Sequence, residues 1–478
     1  MLGENVMQNN SFDFIVIGAG VVGCSIFNDL ARCGYSVAII DNASDVATGA
    51  SKANSGLIHA GFDPKPGTLK AKLNVLGNKL YPDICKRLGV DLKKTGALVV
   101  GKHKRVMQAL LKNGQENGVK NLSIIDREGI KSLVPNIAKD ITCALYAKDA
   151  YIVSPYLYTI CLAEEAIVNG GKVFLEYDIL KTSYKSELYY ITNGKNVICG
   201  KTIINCAGAG YNKVAKLFGS EQYPIVYKRG EYFILDSTER DLARITVFPE
   251  PSIGSKGVLV TPTVDGNILV GPTSILSDDV ARTTNEGLNE IKTKSTQSVD
   301  GINFKKTIRI FSGVRSIIGD DFVIEKSNNC AGIVNVAGIC SPGLSAAPAI
   351  SRYVMELLGL DYKVVNNNRI KPYVCLKNLS NAKRNEMIKQ NPLYGKIVCK
   401  CEDVSEGEIV DALNRPLKIR SIDGVKRRTR SGMGRCQGGF CGDRVADIIA
   451  KVNKIPIEQV LKENRGSYFV CGDIREKK

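Results

Sequence analysis

The sequence predicts an α/β protein whose opening domain is built on a parallel sheet. Three observations predict it. Residues 12–17 form a short apolar run that ends at Gly18, the pattern of a buried parallel strand. Residues 21–32 carry a helical pattern closed by Gly34. Residues 36–40 are a second apolar run, ending at Asp41, which completes a β-α-β unit.

A small and polar loop follows at 42–54. The spacing then predicts a helix over 69–88, a strand over 95–101 and a helix over 105–117. A further helix over 154–169 is stopped by Gly170-Gly171. From 172 to 205 short strands alternate with turns such as Asn193-Gly194. Strands are predicted at 231–236, 257–263 and 267–271. A buried strand at 333–337 leads through a glycine-rich turn to a helix near 346–358. After Leu360 the texture becomes polar, punctuated by Pro372 and Pro392, so 366–394 reads as a linker. Residues 395–450 then form a small domain and 451–478 an extension.

Composition bounds the class. At 478 residues, two to four domains are expected. Hydrophobic residues at 44% and charged residues at 24% give a globular balance with ample core. Met1–Asn10 is polar and lacks the pattern of a signal peptide. No run approaches the roughly 18 apolar residues of a membrane helix. Fifteen cysteines, mostly single within apolar segments (Cys24, Cys33, Cys161, Cys206), point to a reducing, cytoplasmic setting. Peripheral contact with the inner face of a membrane stays open. The net charge of +17 fits either a lysine-rich surface or attraction of anionic substrates. Nucleic acid is not expected. Basic residues are dispersed, apart from Lys426-Arg427-Arg428-Thr429-Arg430, and no nucleic-acid motif accompanies them.

Gly18, Gly20 and Gly23 form G-x-G-x-x-G between a strand and a helix. The first permits the turn, the second admits a pyrophosphate, and the third lets helix and strand pack closely. The helix N-terminus offers free N–H groups to phosphates. Asp41 is placed to accept ribose hydroxyls. The fingerprint alone does not choose between NAD and FAD.

Other motifs follow in order: Gly49-Ala50-Ser51, then Asn54-Ser55-Gly56-Leu57-Ile58-His59-Ala60-Gly61. Asn205-Cys206-Ala207-Gly208-Ala209-Gly210 lies mid-chain, and Gly338-Ile339-Cys340-Ser341-Pro342-Gly343-Leu344 comes late. Over residues 12–365 the chain resembles the FAD-dependent oxidoreductase family that includes D-amino-acid oxidase. Within it, it is similar to glycerol-3-phosphate and L-2-hydroxyglutarate dehydrogenases. The resemblance implies a Rossmann-type FAD-binding domain (about 12–80, 145–222 and 325–365). An interleaved mixed-sheet α+β substrate domain would take about 81–144 and 223–324. It implies that Ser51, Asn54, Ser55 and Gly56 line the flavin. Ala207 and Gly208 would meet the ADP half, and Gly338, Gly343 and Leu344 the isoalloxazine carbonyl end.

Of two histidines, His103 sits in a predicted exposed loop and is given no role. His59 lies in the flavin-proximal segment. Oxidising an alcohol requires loss of the hydroxyl proton, and histidine has a suitable pKa. The family position is an active-site histidine. A structural histidine or a covalent flavin attachment point are the alternatives. Arg315, in Phe311-Ser312-Gly313-Val314-Arg315, resembles a family arginine that binds a small anionic substrate, phosphate or carboxylate. A planar guanidinium suits that task. A surface salt bridge is the alternative. Glycerol-3-phosphate enzymes often place a second arginine just downstream, but here Asp320 and Asp321 stand instead. That, and residues 65–73, look more like the hydroxyglutarate branch. Lys228-Arg229-Gly230-Glu231-Tyr232 offers other cations.

Cys399-Lys400-Cys401 is followed by Cys436-Gln437-Gly438-Gly439-Phe440-Cys441. Four such thiolates suit a 2Fe–2S cluster or a zinc ion, and unliganded thiols are the bland alternative. Around 395–450 the segment resembles the bacterioferritin-associated ferredoxin domain, a small, mainly helical 2Fe–2S module. That module also ends the anaerobic-type glycerol-3-phosphate dehydrogenases. The expectation is oxidation of glycerol 3-phosphate to dihydroxyacetone phosphate, with electrons leaving through the cluster to an acceptor protein or quinone-linked subunit. A 2-hydroxy acid dehydrogenase, a flavin amine oxidase and a redox subunit without a substrate are the alternatives.

Overall fold

A computed structural model describes residues 11–251, 257–277 and 282–472. The polar segment Met1–Asn10 and the end of the extension lie outside the described residues. The expected α/β architecture is found. Strand Ser11–Ile17 runs between parallel neighbours Val37–Ile40 and Val197–Asn205. Lys172–Phe174 extends the sheet beyond Val37–Ile40, and Ile333–Ala337 lies parallel to Val197–Asn205. These strands are almost wholly apolar because helices shield them. Helices Val21–Arg32, Leu69–Leu88, Pro155–Val168 and Gly343–Leu358 share a core with the sheet, including Ile26, Phe27, Leu30, Tyr81, Tyr158 and Ile350. The predicted helix over 69–88 and strand over 333–337 match the observed bounds.

A second, nine-stranded sheet is interleaved with the first in sequence. Its backbone is the long antiparallel pair Val226–Leu235 and Thr307–Ile317. Phe233, Leu235, Val247, Val260 and Ile291 form its core, the last from helix Asn285–Ser295. The pattern along 307–317 carries few buried residues and gave no strand signal. Pairing with its neighbour makes it one.

The segment 366–394 is not structureless. Asn366 and Asn368 donate side-chain hydrogen bonds to the Ala31 and Val168 carbonyls, at 3.1 and 2.9 Å. Helix Asn381–Gln390 follows. Beyond it a two-stranded ribbon, Ile397–Cys399 with Val404–Ser405, precedes helices Glu406–Leu413, Ile422–Thr429 and Gly442–Asn453. Val398, Ile409, Leu413, Val425, Val445 and Ile449 give this unit its own core. A capping box between Ser405 and Glu408 starts its first helix.

The basic run 426–430 is not a surface patch. Arg427 and Arg428 reach Asp45, in the loop after the second strand, at 2.9 and 2.8 Å, with all three side chains buried. Arg415 pairs with buried Glu164 at 2.7 Å, and Arg430 with Asp265 at 2.6 Å. Burial opposes ionisation of Asp45, but Arg428 and Arg427 outweigh it and hold the carboxyl at about 2. The Asp45 and Glu164 pairs dock the C-terminal unit on the nucleotide-binding half, and the Asp265 pair docks it on the second sheet.

Removing Asp45 leaves buried Arg428 without its carboxylate and Arg427 with Glu463 alone. Asp45→Ala should therefore cost about 3–5 kcal/mol, read by denaturant unfolding. The carboxyl is depressed in the fold, so its contribution is complete above the ordinary carboxylate pKa and fades as pH falls through about 2. Wild type should lose about 2 kcal/mol between pH 4 and pH 2 that the variant does not.

Candidate functional site

The fingerprint glycines sit where a side chain has no room. A Cβ on Gly23 would lie 2.0 Å from the Gly18 carbonyl oxygen, and one on Gly18 would lie 2.6 Å from that of Cys206. The first helix thus starts against the ends of two strands. Ser51 Oγ accepts the Val21 N–H at 2.8 Å. Asp41 accepts the N–H groups of Ala19 and Ala43, at 2.7 and 2.8 Å. Burial pushes the Asp41 carboxyl up, and those N–H groups pull it back. Two carboxylate oxygens have capacity left for a ribose. Beside Gly208 a Cβ would meet only open space. Gly18, Gly20, Gly23, Asp41, Ser51, Ala207 and Gly208 are therefore gathered at the C-terminal ends of the parallel strands. A stripped, N–H-rich cradle there fits the diphosphate and ribose of a dinucleotide.

The segment 54–61 is shaped by its own side chains. Asn54 donates to the carbonyls of Ala50 and Ser51 and accepts the Gly56 N–H at 2.9 Å. Gly56 has φ +67° and exchanges a strand contact with Val153. Ser55, between them, is half-buried. Gly343 and Leu344 open helix Gly343–Leu358, and the Leu344 carbonyl accepts the Tyr81 hydroxyl at 2.6 Å. Gly338 lies against Ile318.

His59 joins these pieces. Its N–H donates to Ser345 Oγ at 2.8 Å, and its carbonyl accepts Asn74 and Asn78 at 2.9 and 3.1 Å. Its ring lies 5.9 Å from that of Phe248. It lines a cleft with Phe62, Asp63, Asn74, Pro249 and Pro342. Sequence reasoning missed Asn74, Asn78, Ser345 and Phe248. The signal for the two asparagines was their four-residue spacing on the core-facing stripe of a helix, where polar side chains are out of place. His103 precedes helix Lys104–Glu116, exposed and paired with Glu250 at 2.6 Å.

Arg315 lies on strand Thr307–Ile317 and donates to the Thr273 carbonyl at 2.6 Å. Gly313, two residues back and so on the same face, has no room for a Cβ. It would meet the Ala53 carbonyl at 2.0 Å. The Arg315 face therefore lies over the loop that carries Ala53. Tyr232 shares it, stacked on Phe311 at 4.8 Å, and burial pushes its phenol up to about 12 against the pull of Arg315. The acids that follow serve elsewhere. Asp321 accepts the N–H groups of Leu69 and Lys70, both at 2.8 Å, and so caps helix Leu69–Leu88.

The four thiols form two pairs. Cys401 and Cys436 stand 3.6 Å apart, and the Cys441 thiol is the neighbour that acts most strongly on Cys399. Two thiolates sharing a tetrahedral metal at about 2.3 Å per bond are about 3.8 Å apart. That spacing suits two irons with two thiolates each. Among the described residues, no three metal-ligating side chains converge on a single ion. The Cys441 thiol, then the N–H groups of Gly432, Glu402 and Cys401, draw Cys399 down to about 6 against burial. A Cβ on Gly434 would lie 2.3 Å from that of Cys401, so this glycine lets the loop close.

Known proteins resemble the chain in both parts. The model of the family "FAD dependent oxidoreductase" matches residues 13–357, and that of the "BFD-like [2Fe-2S] binding domain" matches 397–451. A protein of Caloramator mitchellensis named glycerol 3-phosphate dehydrogenase is 40% identical, over 98% of this chain and 99% of its own. A Caenorhabditis elegans mitochondrial L-2-hydroxyglutarate dehydrogenase is 32% identical over 56% of this chain and 64% of its own. The FAD-bound structure of L-alpha-glycerophosphate oxidase from Mycoplasma pneumoniae superposes with a TM-score of 0.72 at 28% identity, over 76% of this chain and 100% of that one.

Two substitutions should separate the cofactors. Gly23→Ala forces the helix from the strand and should yield protein with little bound flavin, read from its visible spectrum. Cys401→Ser should keep the flavin and lose iron, read by metal analysis. With a dinucleotide cradle in one part and paired thiols in the other, the chain belongs to the FAD dependent oxidoreductase family and is a flavoprotein that also carries a 2Fe–2S cluster.

Proposed function

We propose that this flavoprotein oxidises sn-glycerol 3-phosphate to dihydroxyacetone phosphate and passes electrons through its cluster to a separate acceptor. The observation that carries this is the end-to-end likeness to the Caloramator mitchellensis protein, which spans the cluster domain as well. The hydroxyglutarate relative aligns over little more than half of the chain. The acids after Arg315 no longer argue for that branch, because Asp321 caps a helix rather than facing the site.

In this reading His59 takes the substrate hydroxyl proton. Three hydrogen bonds to its backbone fix where the ring can stand, and Phe248 walls one side. Arg315 holds the phosphate. Its contact with Thr273 occupies one nitrogen and leaves the rest of the fork to donate. FAD supplies the two-electron acceptor for the carbon-bound hydrogen, and the cluster a one-electron exit. Tyr232, held as a neutral phenol, does not repel an anion. Cys401 and Phe440 are exposed, which leaves the edge of the thiol loop open to an acceptor protein or quinone-linked subunit. Among the described residues, no helix is long and apolar enough to cross a membrane.

Anaerobic mixing tests the substrate. Glycerol 3-phosphate should bleach the flavin, and L-2-hydroxyglutarate should not. The reverse would overturn the reading. His59→Asn should keep its flavin but be reduced about 10²- to 10⁴-fold more slowly, the usual worth of a positioned base. Unchanged reduction would remove the base role.

A further inference from the structure

Strands Val226–Leu235 and Thr307–Ile317 pair in a register that sets Lys228 directly opposite Arg315. Opposed residues share a face, and like charges opposed in this way destabilise a sheet. The face is the one on which Gly313 meets the flavin-proximal loop. Neither cation has a carboxylate partner among the described residues. Arg315 donates to the Thr273 carbonyl, and no ion pair among the described residues reaches Lys228. The adjacent Arg229 differs in both respects. It projects to the other face and is paired with buried Glu231 at 2.9 Å.

We propose that Lys228 is a specificity-determining residue that completes, with Arg315, a subsite for a dianionic phosphate ester. The inference rests on glycerol 3-phosphate being the substrate. Two cations balance a phosphate dianion, whereas a carboxylate monoanion leaves one charge uncompensated. A repulsive pair of this kind costs stability until such a ligand arrives.

The test is anaerobic stopped-flow reduction of the flavin by glycerol 3-phosphate, in wild type, Lys228→Met and Lys228→Arg, across the second phosphate ionisation near pH 6. Lys228→Met should weaken substrate binding about 10- to 100-fold above that ionisation. It should weaken it less below, where the phosphate carries a single charge. The effect should fall on affinity more than on the limiting rate. Lys228→Arg should restore most of the affinity and the pH dependence, which a merely structural lysine would not predict. Wild type bleached by glycerol 3-phosphate, with Lys228→Met binding as tightly, overturns the role of Lys228 alone. Wild type not bleached at all overturns the substrate assignment beneath it.

Discussion

Backbone meets backbone at three places where a side chain is missing, and the site exists because of them. A Cβ would fall 2.0 Å from a carbonyl oxygen at Gly23 against Gly18, at Gly77 against Ser345 and at Gly313 against Ala53. The first contact seats the helix N-terminus beside the strand ends and opens the phosphate cradle. The second draws helix Leu69–Leu88 onto helix Gly343–Leu358, so that Asn74, Asn78 and Ser345 can hold His59 from both sides. The third lays the Arg315 strand over the loop that carries Ala53. The dinucleotide cradle, His59 and Arg315 are thus positioned by contacts that admit glycine only.

Electrostatics then joins the second redox unit to the first. Part of the +17 charge is internal rather than displayed. The C-terminal unit supplies Arg415, Arg427, Arg428, Arg430 and Arg435. Helix Pro155–Val168 supplies Glu164, the loop after Val37–Ile40 supplies Asp45, and turns of the second sheet supply Asp265 and Asp236. Asp45 and Ser51 lie on one loop, and Arg430 and Cys436 on one stretch of chain. A clamp between them ties the thiol loop to the flavin-binding half. A buried ion pair is weak evidence for stability, but it is strong at specifying one docked orientation, because every misplaced alternative leaves a buried charge unpaired.

Local signals in the sequence were dependable where the physics is local. The fingerprint, the helix over 69–88 and the strand over 333–337 are written in period and punctuation. The paired cysteines were legible from spacing. What stayed hidden depends on partners far along the chain. Residues 426–430 read as a loose basic run because Asp45 lies more than 380 positions away. Asp321 read as a departure from an anion site because its role as a helix cap appears only once Leu69 is beside it. The strand over 307–317 has little buried pattern of its own and is defined by its neighbour. Asn74 and Asn78 were visible as polar residues on an apolar stripe, but their target, the His59 carbonyl, was not.

A flavin and a two-iron cluster held in one chain should act in series when an alcohol substrate reduces it. Anaerobic titration with glycerol 3-phosphate, followed by visible and paramagnetic-resonance spectra, tests it most directly. Uptake of about three electrons per chain is expected, two at the flavin and one at the cluster, with the reduced-cluster signal growing as the flavin bleaches. Flavin bleaching that stops at two electrons, with the cluster still oxidised after prolonged incubation, would contradict it.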